Sequence, residues 1–136
     1  MNIKTKTAFF AAIILTIILG AASIGFAQSD TTPKKRLQIP ATAKGFIGGE
    51  SHDSYVIKAR KGQMITVQIS WQREDGNRAS FTVSKSMNFF NGDPVKFGKE
   101  SLNGKRWTGK IPQTGNYYIY VVAHPTAKYT LKISEK

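Results

Sequence analysis

A chain of 136 residues without cysteine, carrying 20 Lys and Arg against 8 Asp and Glu for a formal charge of +12, has room for one core and none for a catalytic domain beside a binding domain. The missing cysteines exclude disulfide staples and lipid attachment through a cysteine. The charge predicts attraction to anionic partners, such as acidic wall polymers, lipopolysaccharide or lipid headgroups, that weakens with salt.

The first segment, "MNIKTKTAFFAAIILTIILGAASIGFA", has the layout of a secretory signal peptide: Lys4 and Lys6, an uncharged apolar run over 8–20, and Gly25-Phe26-Ala27 at the positions a signal peptidase inspects. Residues 1–27 are therefore expected to be removed. The same stretch, left uncleaved, is just long enough to anchor the chain in a bilayer. Cleavage leaves 109 residues with 18 basic and 8 acidic side chains, a net charge of +10. Such a protein belongs in the periplasm or the medium, where nucleic acid is not its partner. Residues 28–36, "QSDTTPKKR", read as a flexible basic leader.

From Leu37 onward, over 37–136, short apolar-alternating runs are separated by turn signals at Lys61-Gly62, Asp75-Gly76, Asn91-Gly92, Asn103-Gly104 and Thr114-Gly115, the pattern of an antiparallel all-β domain. "SYVIKAR" places Tyr55, Ile57 and Ala59 on one face. "MITVQISW" does the same with Ile65, Val67, Ile69 and Trp71, against Thr66, Gln68 and Ser70. "SFTVSK" contributes Phe81 and Val83, and "YTLKIS" contributes Tyr129, Leu131 and Ile133. About seven or eight half-buried strands predict two sheets packed face to face.

One run differs. "YYIYVV" is apolar or aromatic on both parities, with Tyr117, Ile119 and Val121 on one face and Tyr118, Tyr120 and Val122 on the other. It reads either as a strand covered on both sides or as an exposed aromatic row at Tyr118 and Tyr120.

Catalysis is not expected. Ser51-His52-Asp53 has the residue types of a hydrolase triad, but neighbours on an extended chain point to opposite sides. Two histidines far apart, with no His-x-x-x-His or Asp-x-Asp pattern, support neither a zinc nor an EF-hand site. Glu74-Asp75 and Asp93-Pro94 sit in turns, with nothing to bring two carboxylates together over a cleft. No cofactor is implied.

The succession "KGFI…DSYVIKARKGQMITVQI…W…IPQTGNYYIYV…KYTLKI" resembles the bacterial pre-peptidase C-terminal domain over residues 43–133. The matching positions are Gly45, Asp53-x-Tyr55, Ala59, Lys61-Gly62-Gln63 and Pro112-x-x-Gly115-x-Tyr117 leading to Val121. The resemblance implies a β-sandwich with jelly-roll character and is nearly silent on function. Among free-standing exported domains of this kind, the chain is similar to the bacterial inhibitors of g-type lysozyme, whose Ser-Gly-x-Tyr loop enters the enzyme's cleft. By that resemblance the partner-binding residues are Thr114, Gly115, Asn116 and Tyr117, with Thr in place of Ser keeping the hydroxyl. Gly115 is expected at positive φ in the turn, and Tyr117 at the core edge. Many g-type lysozymes are basic, so a protein of charge +10 needs a locally acidic loop face to approach one.

The alternative is a module for anionic cell-wall or surface glycans, using Lys105, Arg106 and Trp107 with Tyr118 and Tyr120. Trp107 beside Arg106 suits stacking on a sugar ring, or else is a core residue. The expectation is an exported, monomeric, non-catalytic β-sandwich that works by binding, with g-type lysozyme as partner in the first reading and an anionic glycan in the second.

Overall fold

Alternation decides the strands, and the computed structural model, which describes residues 29–136, places them where the pattern puts apolar residues on every second position. The expected signal segment lies outside the described residues. Nine strands are present among them: β1 Lys34–Leu37, β2 Ala41–Gly48, β3 His52–Ala59, β4 Met64–Trp71, β5 Arg78–Ser84, β6 Lys99–Ser101, β7 Arg106–Lys110, β8 Gly115–His124 and β9 Thr126–Glu135. One sheet has the order β1-β3-β8-β5 and the other β2-β9-β4-β7-β6. The chain is thus an all-β sandwich.

Every pairing is antiparallel except β1 with β3. That parallel pair is possible because β2 runs through the opposite sheet and brings the chain back, supplying the crossover that parallel neighbours require. Only β6 and β7 form a sheet hairpin between chain neighbours. Asn91-Gly92 closes the short 3-10 turn Phe89–Asn91, and the other turn signals mark corners between the sheets. At Gly62, φ +87°, the chain passes from β3 to the other sheet, and Asp75-Gly76, φ +41° and +71°, does the same after β4.

The core lies between the sheets. Tyr55, Ile57, Val83, Ile119 and Val121 meet Ile65, Val67, Ile69, Leu131 and Ile133, all buried. Within it, Tyr129 donates its hydroxyl hydrogen to the Asp53 carboxylate, and the Tyr55 and Tyr129 hydroxyls lie 2.5 Å apart. Burial, together with the bond to Asp53, pushes the Tyr129 phenol above the ordinary tyrosine range. Gly45 faces this chain of hydroxyls, and a Cβ there would come within 2.6 Å of the Tyr129 oxygen. The Gly45 and Asp53-x-Tyr55 signature is therefore a buried hydrogen-bond network that fixes how β2, β3 and β9 sit together.

Of the two readings of "YYIYVV" the covered strand is the one found: β8 is covered on both faces, because the segment 85–93 folds over the outside of its sheet. Val56, Tyr118 and Tyr120 form a second small core there, with Phe89 packed against it. Tyr118 and Tyr120 are only 6% and 2% exposed, so the aromatic row is not on the surface. The leader is not free either, since Lys34–Leu37 is a strand.

Asp30 accounts for much of that order. Its side chain is 2% exposed, and it accepts hydrogen bonds from the backbone N–H groups of Thr32 and Phe89 and from Lys34 Nζ. His52 Nε2 lies 3.2 Å away, with its ring stacked on Phe89 at 3.8 Å. Burial pulls the Asp30 carboxyl upward, but the two backbone N–H bonds and Lys34 more than offset it and hold the group at about 2. A carboxylate held lower in the fold than in the open chain stabilises the fold above the unfolded value, near 4, and that contribution disappears as pH falls toward 2. Asp30→Ala is accordingly expected to cost about 2 kcal/mol at pH 7. In urea denaturation the gap from wild type should narrow below pH 3, and an equal gap at pH 7 and pH 2.5 would contradict an electrostatic origin.

Candidate binding loop

Between β7 and β8 the chain must cross from one sheet to the other within Ile111, Pro112, Gln113 and Thr114. Ile111 is buried and anchors the crossing. Its N–H donates to Gln63 O, and its carbonyl accepts from Gly62 N–H, both at 2.8 Å, so the crossing is stitched to the neighbouring turn 60–63. Pro112 has no N–H to offer another strand, and Pro112, Gln113 and Thr114 stand exposed.

Three contacts then brace the tip. Lys61 N–H donates to Thr114 Oγ1 at 2.9 Å. The Tyr117 hydroxyl donates back to Gln113 O at 2.7 Å. Lys85 Nζ donates to Asn116 O at 3.0 Å while lying over the Tyr117 ring, 4.1 Å from its centroid. The loop backbone is thus tied to two neighbouring segments and to its own strand. The side chains of Gln113 and Asn116 point outward without a partner in the described residues.

The four residues expected to touch a partner therefore divide. Thr114 and Asn116 are exposed at the tip. Tyr117 is 1% exposed and supports the loop from beneath. Gly115 is not at positive φ, contrary to expectation; it is the first residue of β8, paired with Ala59, and extended backbone places no demand for glycine. A Cβ there would meet only Lys85 Nζ, at 3.1 Å, the movable end of a flexible side chain. Gly115→Val is accordingly expected to change stability by less than about 1 kcal/mol. Thermal denaturation checks this, and a loss above about 2 kcal/mol would show a constraint that the backbone does not display. Gln113 was missed as a candidate, although its place between Pro112 and Thr114 already marks it as a turn residue.

The charge around the loop is positive. Lys85 Nζ bonds to it, Lys61 adjoins it through its backbone N–H, and Lys58 lies opposite Asn116 in the ladder. A groove of about 400 Å³ beside the 60–63 turn is lined by Arg36, Lys58 and Arg60 with Glu135. The locally acidic loop face that a basic partner enzyme would ask for is absent.

The second candidate set is scattered. Trp107 is 6% exposed and packs in the main core, on the opposite sheet from Tyr118 and Tyr120, which are themselves covered. Its inward register opposite Val67 explains this. Lys105 Nζ lies 5.0 Å over the Trp71 ring, and Arg106 chelates Gln68 Oε1 with two N–H groups. These five residues do not form one sugar platform.

His52 and Asp53 diverge, one toward Asp30 and the other toward Tyr129. Glu74, Asp75 and Glu100 line a cleft of about 690 Å³, beside Arg73, Arg78 and Lys105. Among the described residues no three His, Asp or Glu side chains gather as metal ligands would.

The sequence matches no protein-family model and no curated protein. Its fold does match solved structures. The periplasmic inhibitor of g-type lysozyme from Aeromonas hydrophila aligns with a TM-score of 0.56 at 22% identity, over 76% of this chain and 100% of the other. The pre-peptidase C-terminal domain of a Bacillus anthracis collagenase gives 0.55 at 20%, over 79% and 100%. The corresponding inhibitor from Salmonella Typhimurium gives 0.51 at 23%, over 75% and 99%. At these identities the likeness is one of fold.

Proposed function

We propose that this chain is an exported, monomeric, non-catalytic inhibitor that blocks the cleft of a g-type lysozyme with the loop Gln113, Thr114 and Asn116. Residues 1–27 direct it to the periplasm or the medium and are removed there. The fold alone does not choose this role, since a collagenase domain is built the same way. The observation that carries the reading is the bracing of the loop: Lys61, Lys85 and Tyr117 hold its backbone while Gln113 and Asn116 are left pointing outward. A finger held in one conformation before binding loses little entropy on entering a cleft.

Its positive surroundings lack the acidic face that approach to a basic enzyme asks for, but they suit the cleft itself. A glycoside hydrolase cleft carries the carboxylates that perform hydrolysis, and Lys61 and Lys85 would approach them with complementary charge even where the rest of the enzyme repels. Inhibition of a g-type lysozyme by the exported protein at micromolar concentration, measured by the rate of peptidoglycan clearing, tests the proposal. Full enzyme activity under those conditions would remove it.

A further inference from the structure

The two broad faces of the sandwich are not equivalent. One is closed by the segment 85–93. The other, the outer surface of the five-stranded sheet, is open, and its register sorts charge by sign. The outward positions of β2, β9, β7 and β6 hold six cations: Lys44, Lys128, Lys132, Arg106, Lys110 and Lys99. All are exposed except the half-buried Arg106. These five strands carry only two acidic residues, Glu100 and Glu135, and both have the inward parity, opposite Trp107 and Ile65. The ion pairs found among the described residues both belong to Asp30, so none of the six cations is ion-paired to a carboxylate there.

What lies between the cations is as informative as the charge. One row across the sheet reads Thr42, Lys132, Gln68, Arg106, Ser101. The next reads Ser134, Thr66, Thr108, Lys99. Neighbours within a row are about 4.8 Å apart and successive rows about 6.7 Å. The hydroxyls and the amide both donate and accept, as the hydroxyls of a sugar chain require.

The outward apolar residues, Phe46 and Met64, sit at opposite ends of the sheet, Phe46 beside Lys128 and Met64 beside Lys110. They make no wedge for a bilayer, and a single exposed aromatic gives no stacking platform for bases.

We propose that this face binds an anionic polysaccharide, laid flat across the rows with its acidic groups on the lysines and its hydroxyls on the Thr, Ser and Gln side chains. The site is separate from the loop between β7 and β8 and holds or fails independently of lysozyme inhibition. Its use is retention of the protein at an acidic envelope surface.

The test uses immobilised polygalacturonate, neutral dextran and phosphatidylglycerol vesicles as probes at low salt. Wild type is expected to bind polygalacturonate, to ignore dextran and to release as salt rises. The triple variant Lys44→Gln, Lys128→Gln, Lys132→Gln should bind at least tenfold more weakly. The triple Arg73→Gln, Arg78→Gln, Lys96→Gln, which loses the same charge elsewhere, should weaken less than threefold. All six side chains are exposed, and unchanged melting temperatures would confirm folding. The pair Lys99→Gln, Lys110→Gln, on other strands of the same face, should weaken binding severalfold on its own. Equal losses in the two triples would overturn the proposal as mere net-charge attraction. Tighter binding to vesicles than to polygalacturonate, lost in the first triple, would overturn it in favour of a lipid surface.

Discussion

Alanine at Trp107 is expected to remove about 3–5 kcal/mol of stability, the usual cost of deleting a large buried aromatic. The indole is 6% exposed, and Phe97 meets it edge-on at 5.7 Å. Two glycines lie directly on it: a Cβ at Gly98 or at Gly109 would come within 2.5 Å of the ring. Gly98 has φ +86°, so that backbone reaches the ring in a conformation that side chains resist. Such close backbone packing leaves no side chain able to swing into the space, and the cavity will persist. For a domain whose total stability is of order 5–15 kcal/mol, the loss should move the urea midpoint strongly or leave the variant unfolded at 37 °C. A tryptophan stacked on an exposed sugar site would instead leave the midpoint within about 0.5 kcal/mol of wild type, and that result would return Trp107 to the surface.

The same residue shows what the sequence carried and what it withheld. Alternation placed the apolar faces of β3, β4, β5 and β9 because the side-chain period of a strand is two and water on one side enforces it. Where both sides are covered the period carries no information, which is why "YYIYVV" alone fits a buried row and an exposed row equally; the segment 85–93, lying over Tyr118 and Tyr120, makes it the buried one. The turns were legible as turns, but nothing local distinguishes a hairpin from a corner between sheets. Gly62 and Gly76 take the conformation that glycine suggests; Gly115 does not, because the bend before it is made by Pro112 to Thr114 and held by Lys61 and Tyr117.

Long-range contacts were the other gap. Asp30 looked like one polar residue in a polar leader, and its partners His52 and Phe89 lie 22 and 59 positions away. The basic sheet face was hidden for the same reason. Its lysines are scattered along the chain and become neighbours only through pairing, whereas local clusters such as Lys105-Arg106 are visible in the sequence by adjacency alone.

In the loop itself, the double variant Gln113→Ala, Asn116→Ala is expected to lose at least about a hundredfold in inhibition of a g-type lysozyme, since contacts at the desolvated centre of an interface can each contribute about 2 kcal/mol or more. Neither side chain bonds within the described fold, so stability should stay within about 0.5 kcal/mol of wild type. Thr114 needs a different treatment because its Oγ1 accepts from Lys61 N–H. Removing that acceptor in Thr114→Ala is expected to cost about 1 kcal/mol as well as inhibition. Thr114→Ser keeps the acceptor and should restore both. Lys85→Ala removes the bond to Asn116 O and the charge over Tyr117, loosening the tip and taking away one of the cations that would face the enzyme's carboxylates; with Gln113 and Asn116 still in place, it should weaken inhibition less than the double variant. Inhibition constants measured beside melting temperatures separate these effects. If inhibition survives the double variant, or if every loss follows melting temperature, the loop is scaffold and the enzyme is met by another surface.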